Sequence, residues 1–267
     1  MVSIIDINVF KPHSLTEALH LLEEYGDRSI IIAGGTDVIT MLRRGKIKAD
    51  HLIDISDLDE LRYVKIEQGY LKIGSLVTLN EAAENHLIRA WAPLISESAR
   101  NMGTWQVRNI ATVGGNIGRA SPAGDLLLSL YPLEADVLLI SRSGSRVIPV
   151  EKLVTGPGVL NKRPDELIAE IRIDIRNAHK YHFFKKIGSR VTNIIAVANL
   201  AGILWDINKD TREVAGIRIA AGSVAPTPVR LRKTEEFLQH NELSSRTIDE
   251  AIEIAMGEIK PITDLRA

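Results

Sequence analysis

The 267-residue chain has no cysteine. Disulfides, a thiol nucleophile, and any iron–sulfur cluster or cysteine-held zinc bound by this chain alone are therefore excluded. If the protein moves electrons, another group carries them. It also lacks an excess of one charge, the formal net charge being -1 with 25% charged residues. Such a balance gives no electrostatic case for nucleic acid or an acidic membrane surface. No apolar run approaches membrane-spanning length, and Met1 to Pro12 lacks a basic region followed by an apolar core, so the expected compartment is the cytoplasm. Gly-x-Ser-x-Gly is absent, and Ser14 and Ser121 have no histidine at a hydrolase spacing, which argues against nucleophilic catalysis.

Small residues are concentrated from Asn109 to Asp125. Gly114, Gly115 and Gly118 allow backbone conformations and close approaches that a Cβ forbids, and Thr112, Asn116 and Ser121 add short hydrogen-bonding groups. Two readings are open: a loop that wraps a pyrophosphate with its ribose or ribityl chain, or a tight connection between a strand and a helix. A second stretch bears on the choice. Ser29 to Asp37 is a short β-branched run that ends in Gly34-Gly35 before a helix expected over 37 to 44. A buried strand opening through glycines onto a helix N-terminus exposes unpaired N–H donors to phosphate. The dinucleotide fingerprint Gly-x-Gly-x-x-Gly is absent after this strand. Two glycine turns far apart in the chain predict one ligand held between two lobes.

Along the chain, a strand over Ile4 to Val9 is stopped by Pro12, and Ser14 with Glu17 forms a capping box for a helix that ends at Gly26. A strand to Ala33, a helix closed by Gly45 and a strand from His51 to Ile55 complete a β-α-β-α-β unit. A hairpin turns at Glu67-Gln68-Gly69; Thr78 with Glu81 caps a helix, and another follows Pro93 until Gly103. Asp125 caps a short helix over Leu126 to Leu130, and strands run over Val137 to Ile140 and Arg146 to Val150. Thr155-Gly156-Pro157-Gly158 reads as a boundary loop leading to a strand over Leu167 to Ile175. The last third predicts strands over Tyr181 to Ile187, Ile194 to Trp205 and Val214 to Ala221, with a polar turn at Asn208-Lys209-Asp210, then helices over Lys233 to Gln239 and Ile248 to Met256.

Of the seven histidines only His179 and His182 are close, and they lack a third metal ligand. Lys185 and Arg190 lie in the run Phe183-Phe184-Lys185-Lys186-Ile187-Gly188-Ser189-Arg190, where cations stand among aromatics. Alternation puts Phe184 and Lys186 on one face and Phe183, Lys185 and Ile187 on the other. A cation on the inner face can stabilise an anionic reduced cofactor; a solvated lysine is the plainer alternative.

Several segments together resemble the FAD-binding medium subunit of the molybdenum hydroxylases, the family of xanthine dehydrogenase, carbon monoxide dehydrogenase and aldehyde oxidoreductase. They are Ala33-Gly34-Gly35-Thr36-Asp37, the run from Gln106 to Ile117, and Ala120 to Asp125. Thr155 to Gly158, Asp165 to Ile168, Phe184-Lys185-Lys186 with Arg190, and Ala220 to Pro228 come after them in the family's order.

The resemblance implies an α+β fold: a two-lobed FAD-binding domain of the kind shared with vanillyl-alcohol oxidases, then a small antiparallel sheet with helices like the carbon monoxide dehydrogenase flavoprotein C-terminal domain. The expected divisions are 1–55 and 56–175 for the two lobes and 176–267 for the last domain. Ile31, Ile32, Ala33, Gly34, Gly35, Thr36 and Asp37, with Thr112, Gly114, Gly115 and Asn116, would hold the pyrophosphate and ribityl chain. Met102, Gly103, Val107 and Ala111 would line the groove, and Asp125 would supply a polar contact. Leu167 and Ile168 would pack near the cofactor, Lys185 matches a family position close to the flavin, and the implied site extends to Val38, Gly118, Arg119 and Gly124.

FAD is expected to be bound non-covalently, since neither glycine segment contains histidine or cysteine. The resemblance also implies a molybdopterin-bearing large subunit and a [2Fe–2S] small subunit as partners, the flavin passing their electrons to an external acceptor. Family members usually continue past a motif like Asp264-Leu265-Arg266, so C-terminal packing or partner contact is expected to be incomplete. Two other readings are a self-contained flavin reductase or oxidase of the same fold, for which no acid or nucleophile stands out, and a cofactor-free assembly subunit.

Overall fold

The computed structural model describes residues 7–178, 181–188, 195–208 and 210–262. His179, Arg190, Ile194, Lys209 and the Asp264-Leu265-Arg266 motif lie outside them, as do Ile4 to Asp6 of the expected first strand.

The described part of that strand is Asn8–Phe10 (β1). Helix Leu15–Tyr25 (α1) starts on Ser14, whose Oγ accepts the Glu17 N–H at 3.2 Å. The expected box does not close on itself, because the Glu17 carboxylate takes the N–H of His13 at 2.7 Å. Strand Ser29–Ile32 (β2), helix Val38–Arg43 (α2) and strand His51–Asp54 (β3) follow, and the three strands form a parallel sheet in the order β1-β3-β2.

The hairpin consists of Val64–Glu67 (β4) and Tyr70–Gly74 (β5), turned by Gln68 and Gly69 at φ of 54° and 79°. Thr78 and Glu81 form a complete capping box for Leu79–Glu84 (α3). Helices His86–Trp91 (α4), Pro93–Arg100 (α5), Trp105–Arg108 (α6), Val113–Arg119 (α7) and Asp125–Leu130 (α8) come next. Strands Asp136–Ser141 (β6) and Gly144–Pro149 (β7) precede the short helix Val150–Leu153 (α9). Val154–Gly156 (β8) and Val159–Leu160 (β9) pair around Pro157-Gly158, and Leu167–Asp174 (β10) returns to the centre of a five-stranded antiparallel sheet, β4-β5-β10-β6-β7. Residues 155 to 158 are thus a hairpin within this unit and not a boundary.

Tyr181–Ile187 (β11), Ala198–Ile207 (β12), Val214–Gly222 (β13) and Val229–Arg230 (β14) make a four-stranded antiparallel sheet in chain order. Arg232–Gln239 (α10) and Ser245–Met256 (α11) cover it. The two-residue β14 escapes a pattern search because it has no room to alternate.

Three cores organise these layers. Ala18, Leu22, Ile53 and Leu61 pack with Leu167 and Ala169, seating the first unit on the five-stranded sheet. On its other side Ile73, Ile117, Leu126, Leu127 and Ile171 share a core with Phe184, Ala201 and Ala220 of the C-terminal sheet. The far face of that sheet meets α10 and α11 through Ile217, Ile219, Leu238 and Ala251. Among the described residues no helix is long and apolar enough to cross a membrane.

Candidate functional site

The first glycine turn leaves β2 at its C-terminal end. Gly35 has φ +69°, which a side chain resists. The N–H groups of Gly34, Gly35, Thr36 and Asp37 donate to no acceptor among the described residues. Asp37 precedes α2 without capping it through its side chain. Ile31 and Ala33 rest on the core that contains Leu167, so the turn sits on the five-stranded sheet.

The second glycine segment is not a loop. Thr112 caps α7 by accepting the Gly115 N–H at 3.1 Å, and a left-handed Ala120 ends the helix. Its glycines serve close approach: a Cβ on Gly114 would lie 2.5 Å from Cβ of Ser75, and one on Gly118 would touch Ile168 at 3.9 Å. The helix N-terminus offers no spare donors. Val113 donates to the Val77 carbonyl at 2.9 Å, Gly114 to Ser75 at 2.8 Å and Asn116 to Thr112 at 3.0 Å. What α7 presents is an acceptor, because Asn116 Oδ1 is buried without a partner among the described residues.

The two segments meet. A Cβ on Gly34 would fall 1.7 Å from the carbonyl oxygen of Ile110, so only glycine permits this contact. Around it Ile110, Val107 and Trp105 are exposed apolar groups. Arg108 stacks over Trp105 at 5.7 Å, and its Nη1 donates to the carbonyls of Met102 and Gly103 at 3.0 Å each. Gly103 lies against Val107, 3.2 Å from a would-be Cβ. The Ala111 N–H donates to the Val107 carbonyl at 2.8 Å while the Ala111 carbonyl accepts from Leu79 at 2.8 Å, so Met102, Gly103, Val107 and Ala111 are neighbours.

Asp125 does not cap α8 through its side chain. The carboxylate is buried and fully engaged: Lys186 Nζ donates to Oδ2 at 2.5 Å and Asn199 Nδ2 to Oδ1 at 2.8 Å. Burial raises its pKa above the ordinary range, against the opposing pull of Lys186 and Asn199. Alternation on β11 holds: Phe184 faces the core with Lys186, while Lys185 is exposed. Gly124 lies 3.7 Å, at its would-be Cβ, from Asn116 Oδ1, so Asp125 borders the α7 wall. Arg119 approaches Gly158 on the hairpin, at 3.5 Å from a would-be Cβ there.

Residues 5–173 match the family model described as the FAD binding domain in molybdopterin dehydrogenase. The chain belongs to that family. Residues 182–267 match the carbon monoxide dehydrogenase flavoprotein C-terminal domain. Similar proteins include the glyceraldehyde dehydrogenase medium chain of Sulfolobus acidocaldarius, 30% identical over 98% of this chain and 91% of that one. The nicotinate dehydrogenase FAD-subunit of Eubacterium barkeri is 30% identical over 93% and 85%. A structure of carbon monoxide dehydrogenase from Hydrogenophaga pseudoflava, lacking the Mo-pyranopterin moiety of its cofactor, superposes with a TM-score of 0.91 at 28% identity, over 98% of this chain and 90% of that one. As a member of this molybdopterin dehydrogenase FAD-binding family, the chain is an oxidoreductase subunit whose cofactor is FAD.

The residues present fit that group. Unpaired N–H donors at the Gly34 turn suit a diphosphate, the orphaned Asn116 acceptor suits a ribityl hydroxyl, and the apolar rim at Trp105, Val107 and Ile110 suits a flat ring system. Among the described residues no cluster of three potential metal ligands occurs, and His182 lies beside Glu97 at 3.5 Å. His182 helps line a separate cleft of about 400 Å³ with Arg89, Ser96, Glu97 and Arg100; Arg89 and Arg100 share the Glu84 carboxylate, so that cleft largely balances its own charge.

Sequence reasoning does not single out Ser75, Ile110 or Asn199, which act through contacts that depend on tertiary packing. Alternation groups Lys186 with Phe184 but does not say which face is inner, and the lysine expected at the site is Lys185; the structure puts Lys186 on Asp125.

Proposed function

We propose that this chain is the electron-transferring FAD subunit of a multi-subunit molybdenum hydroxylase. It takes electrons from [2Fe–2S] clusters on a partner small subunit, next to a molybdenum-bearing large subunit, and delivers them to an external acceptor. Its compartment in this reading is the cytoplasm. The observation that carries the proposal is the meeting of Gly34 with Ile110, which brings a turn with unpaired N–H donors against the segment that leads into the acceptor-bearing helix α7. The lack of cysteine supports the division of labour, since clusters must then reside on another chain.

FAD supplies the redox chemistry, exchanging electrons singly or in pairs. The protein's part is binding and orientation. Residues 31 to 38 meet the diphosphate through backbone N–H groups; Gly115, Asn116 and Gly118 receive the ribityl chain, and Thr112 and Gly114 seat α7 beneath it through the Gly115 N–H and Ser75. Met102, Gly103, Val107 and Ala111 form the apolar wall. Ile168 supports α7 from beneath, Leu167 supports the first turn, and Gly124 and Asp125 close the α8 side. Arg119 and the exposed Lys185 remain available to the cofactor's polar edges. We assign the two lobes to 1–55 and 56–175 and the last domain to 176–267, a division supported by the separate three-, five- and four-stranded sheets of those segments.

The test is the visible absorption of the purified chain before and after addition of FAD, with the released cofactor identified by chromatography. Stoichiometric FAD, and co-purification of molybdenum- and iron–sulfur-bearing partners, is the expected result. A folded chain that stays colourless in excess FAD would overturn the proposal and favour the assembly role.

A further inference from the structure

We propose that Lys186 is a positioning residue that fixes the end of α5, next to Met102 and Gly103, against the start of α8, next to Gly124, and so holds these parts of the cofactor site in place. The inference rests on the FAD reading above and assigns a task to a side chain that neither the glycine segments nor the exposed Lys185 performs. Lys186 Nζ has two partners on two different elements. It donates to the Asn101 carbonyl at 3.3 Å, immediately before Met102 and Gly103, and to Asp125 Oδ2 at 2.5 Å, immediately after Gly124. Asn101 ends α5 and Asp125 begins α8, so one ammonium ties together the ends of two helices that also pack directly on each other, where Ser98 Oγ donates to Ser129 Oγ at 3.1 Å.

The brace is anchored from behind by the C-terminal sheet. Lys186 is paired with Asn199 across β11 and β12, and Asn199 donates to the other oxygen of Asp125. Asn199 is itself held against Gly222, where a Cβ would fall 2.3 Å from its Oδ1. The next residue, Ser223, donates its N–H to the Pro122 carbonyl at 2.9 Å, which fixes the turn between α7 and α8. Side-chain burial is deep, Lys186 being 10% and Asp125 3% exposed, so water does not readily replace these contacts. A displacement of the sheet is therefore transmitted to both helix ends at once. Lys186 acts through Asn101 and Asp125 and need not touch the cofactor.

The experiment uses the full chain, with Lys186→Met, Lys186→Arg, Lys186→Gln, Asp125→Asn and the double substitution Asp125→Asn/Lys186→Met. FAD affinity is measured by quenching of flavin fluorescence, the geometry of the bound ring by visible circular dichroism, and folding by the far-ultraviolet spectrum of the apoprotein. Lys186→Met is expected to weaken FAD binding about tenfold or more, equivalent to roughly 1.4 kcal/mol, and to change the visible circular dichroism. Lys186→Arg should recover most of both, since a guanidinium can donate to a carbonyl and a carboxylate together. The double variant should be no worse than Lys186→Met alone, because both changes cut one brace. Wild-type affinity and dichroism in Lys186→Met, or no recovery in Lys186→Arg, overturns the assignment. If Lys186→Met does not fold, Lys186→Gln decides, since its shorter amide cannot reach the Asn101 carbonyl and Asp125 together: weakened binding supports the brace, and unchanged binding overturns it. Failure of the unsubstituted chain to take up FAD is a different outcome, which overturns the flavin reading and the brace with it.

Discussion

Replacing Gly34 by alanine tests the contact between the two glycine segments. The new methyl carbon would stand 1.7 Å from the Ile110 carbonyl oxygen, 2.5 Å from its carbon and 3.1 Å from the Ala111 nitrogen. Ordinary contact between such atoms is about 3.5 Å, so the two segments must part by roughly 1.5–2 Å. All three obstacles are backbone, and they cannot swing aside as a side chain would. The Ile110 and Ala111 N–H groups are tied to Val107 at 3.2 and 2.8 Å, and the Ala111 carbonyl to Leu79. The first turn, which has fewer ties, is the one that moves.

Overpacking of this kind costs about 1–3 kcal/mol, and the displaced turn is the one that carries the free donors. Gly34→Ala should therefore lose FAD affinity by about tenfold to a hundredfold, measured by fluorescence titration. Its melting temperature should fall by several degrees, at about 2–4 °C per kcal/mol for a chain of this size. Gly45→Ala provides the comparison. Gly45 also has an unfavourable conformation for a side chain, φ +64°, but a Cβ there meets nothing within 4 Å. It should cost about 1 kcal/mol of stability and leave FAD binding unchanged. Equal FAD affinity in Gly34→Ala and the wild type would refute the argument that the two segments form one site.

Three further outcomes are expected. Gly114→Ala places a methyl 2.5 Å from Ser75 Cβ and should destabilise the apoprotein by about 1–3 kcal/mol in thermal unfolding; an unchanged melting curve would contradict the close approach of α7 to Ser75. Arg230→Met leaves Glu235 buried without the guanidinium that meets it at 2.7 and 2.8 Å, and should cost about 3–5 kcal/mol in denaturant unfolding; a loss below about 1 kcal/mol would show that water or another cation replaces it. Arg146 holds the Glu166 carboxyl below its ordinary value of 4.5, a depressed folded pKa, so the stabilisation is present above that value and disappears as pH falls through the folded one. The stability difference between wild type and Glu166→Gln should therefore shrink on acidification below pH 4.5, and a difference independent of pH would refute this assignment.

Elements with a local cause are readable in the chain. Thr78 and Glu81 cap α3 because both hydrogen bonds lie within one turn, and Gln68-Gly69 turns the hairpin through its own dihedral angles. The segment after Thr112 reads as a loop in sequence and folds as a helix, because three glycines oppose a helix on propensity alone. Tertiary contact wins there: Gly114 lets α7 lie against Ser75, while Gly115 and Gly118 are exposed. Asp125 reads as a cap and a cofactor contact, but its partners Lys186 and Asn199 come from a sheet far along the chain. Nothing in the neighbourhood of Asp125 announces them.

Hydrogen bonding separates the tasks of two segments that look alike in sequence. Both carry a Gly-Gly pair among short polar residues, and both would be expected to offer N–H groups to an anion. Only the first does, because Gly34 to Asp37 make no backbone bonds as donors among the described residues, whereas Val113 to Asn116 have their donors taken by Val77, Ser75 and Thr112. A ligand spanning both must then be anionic at one end and rich in hydroxyl donors at the other, where Asn116 Oδ1 waits as an acceptor. A diphosphate joined to a ribityl chain has that polarity. An inorganic polyphosphate has the first property without the second, so it should compete for the Gly34 turn alone and leave binding of riboflavin, which lacks phosphate, undisturbed. Competition against riboflavin as strong as against FAD would refute the separation.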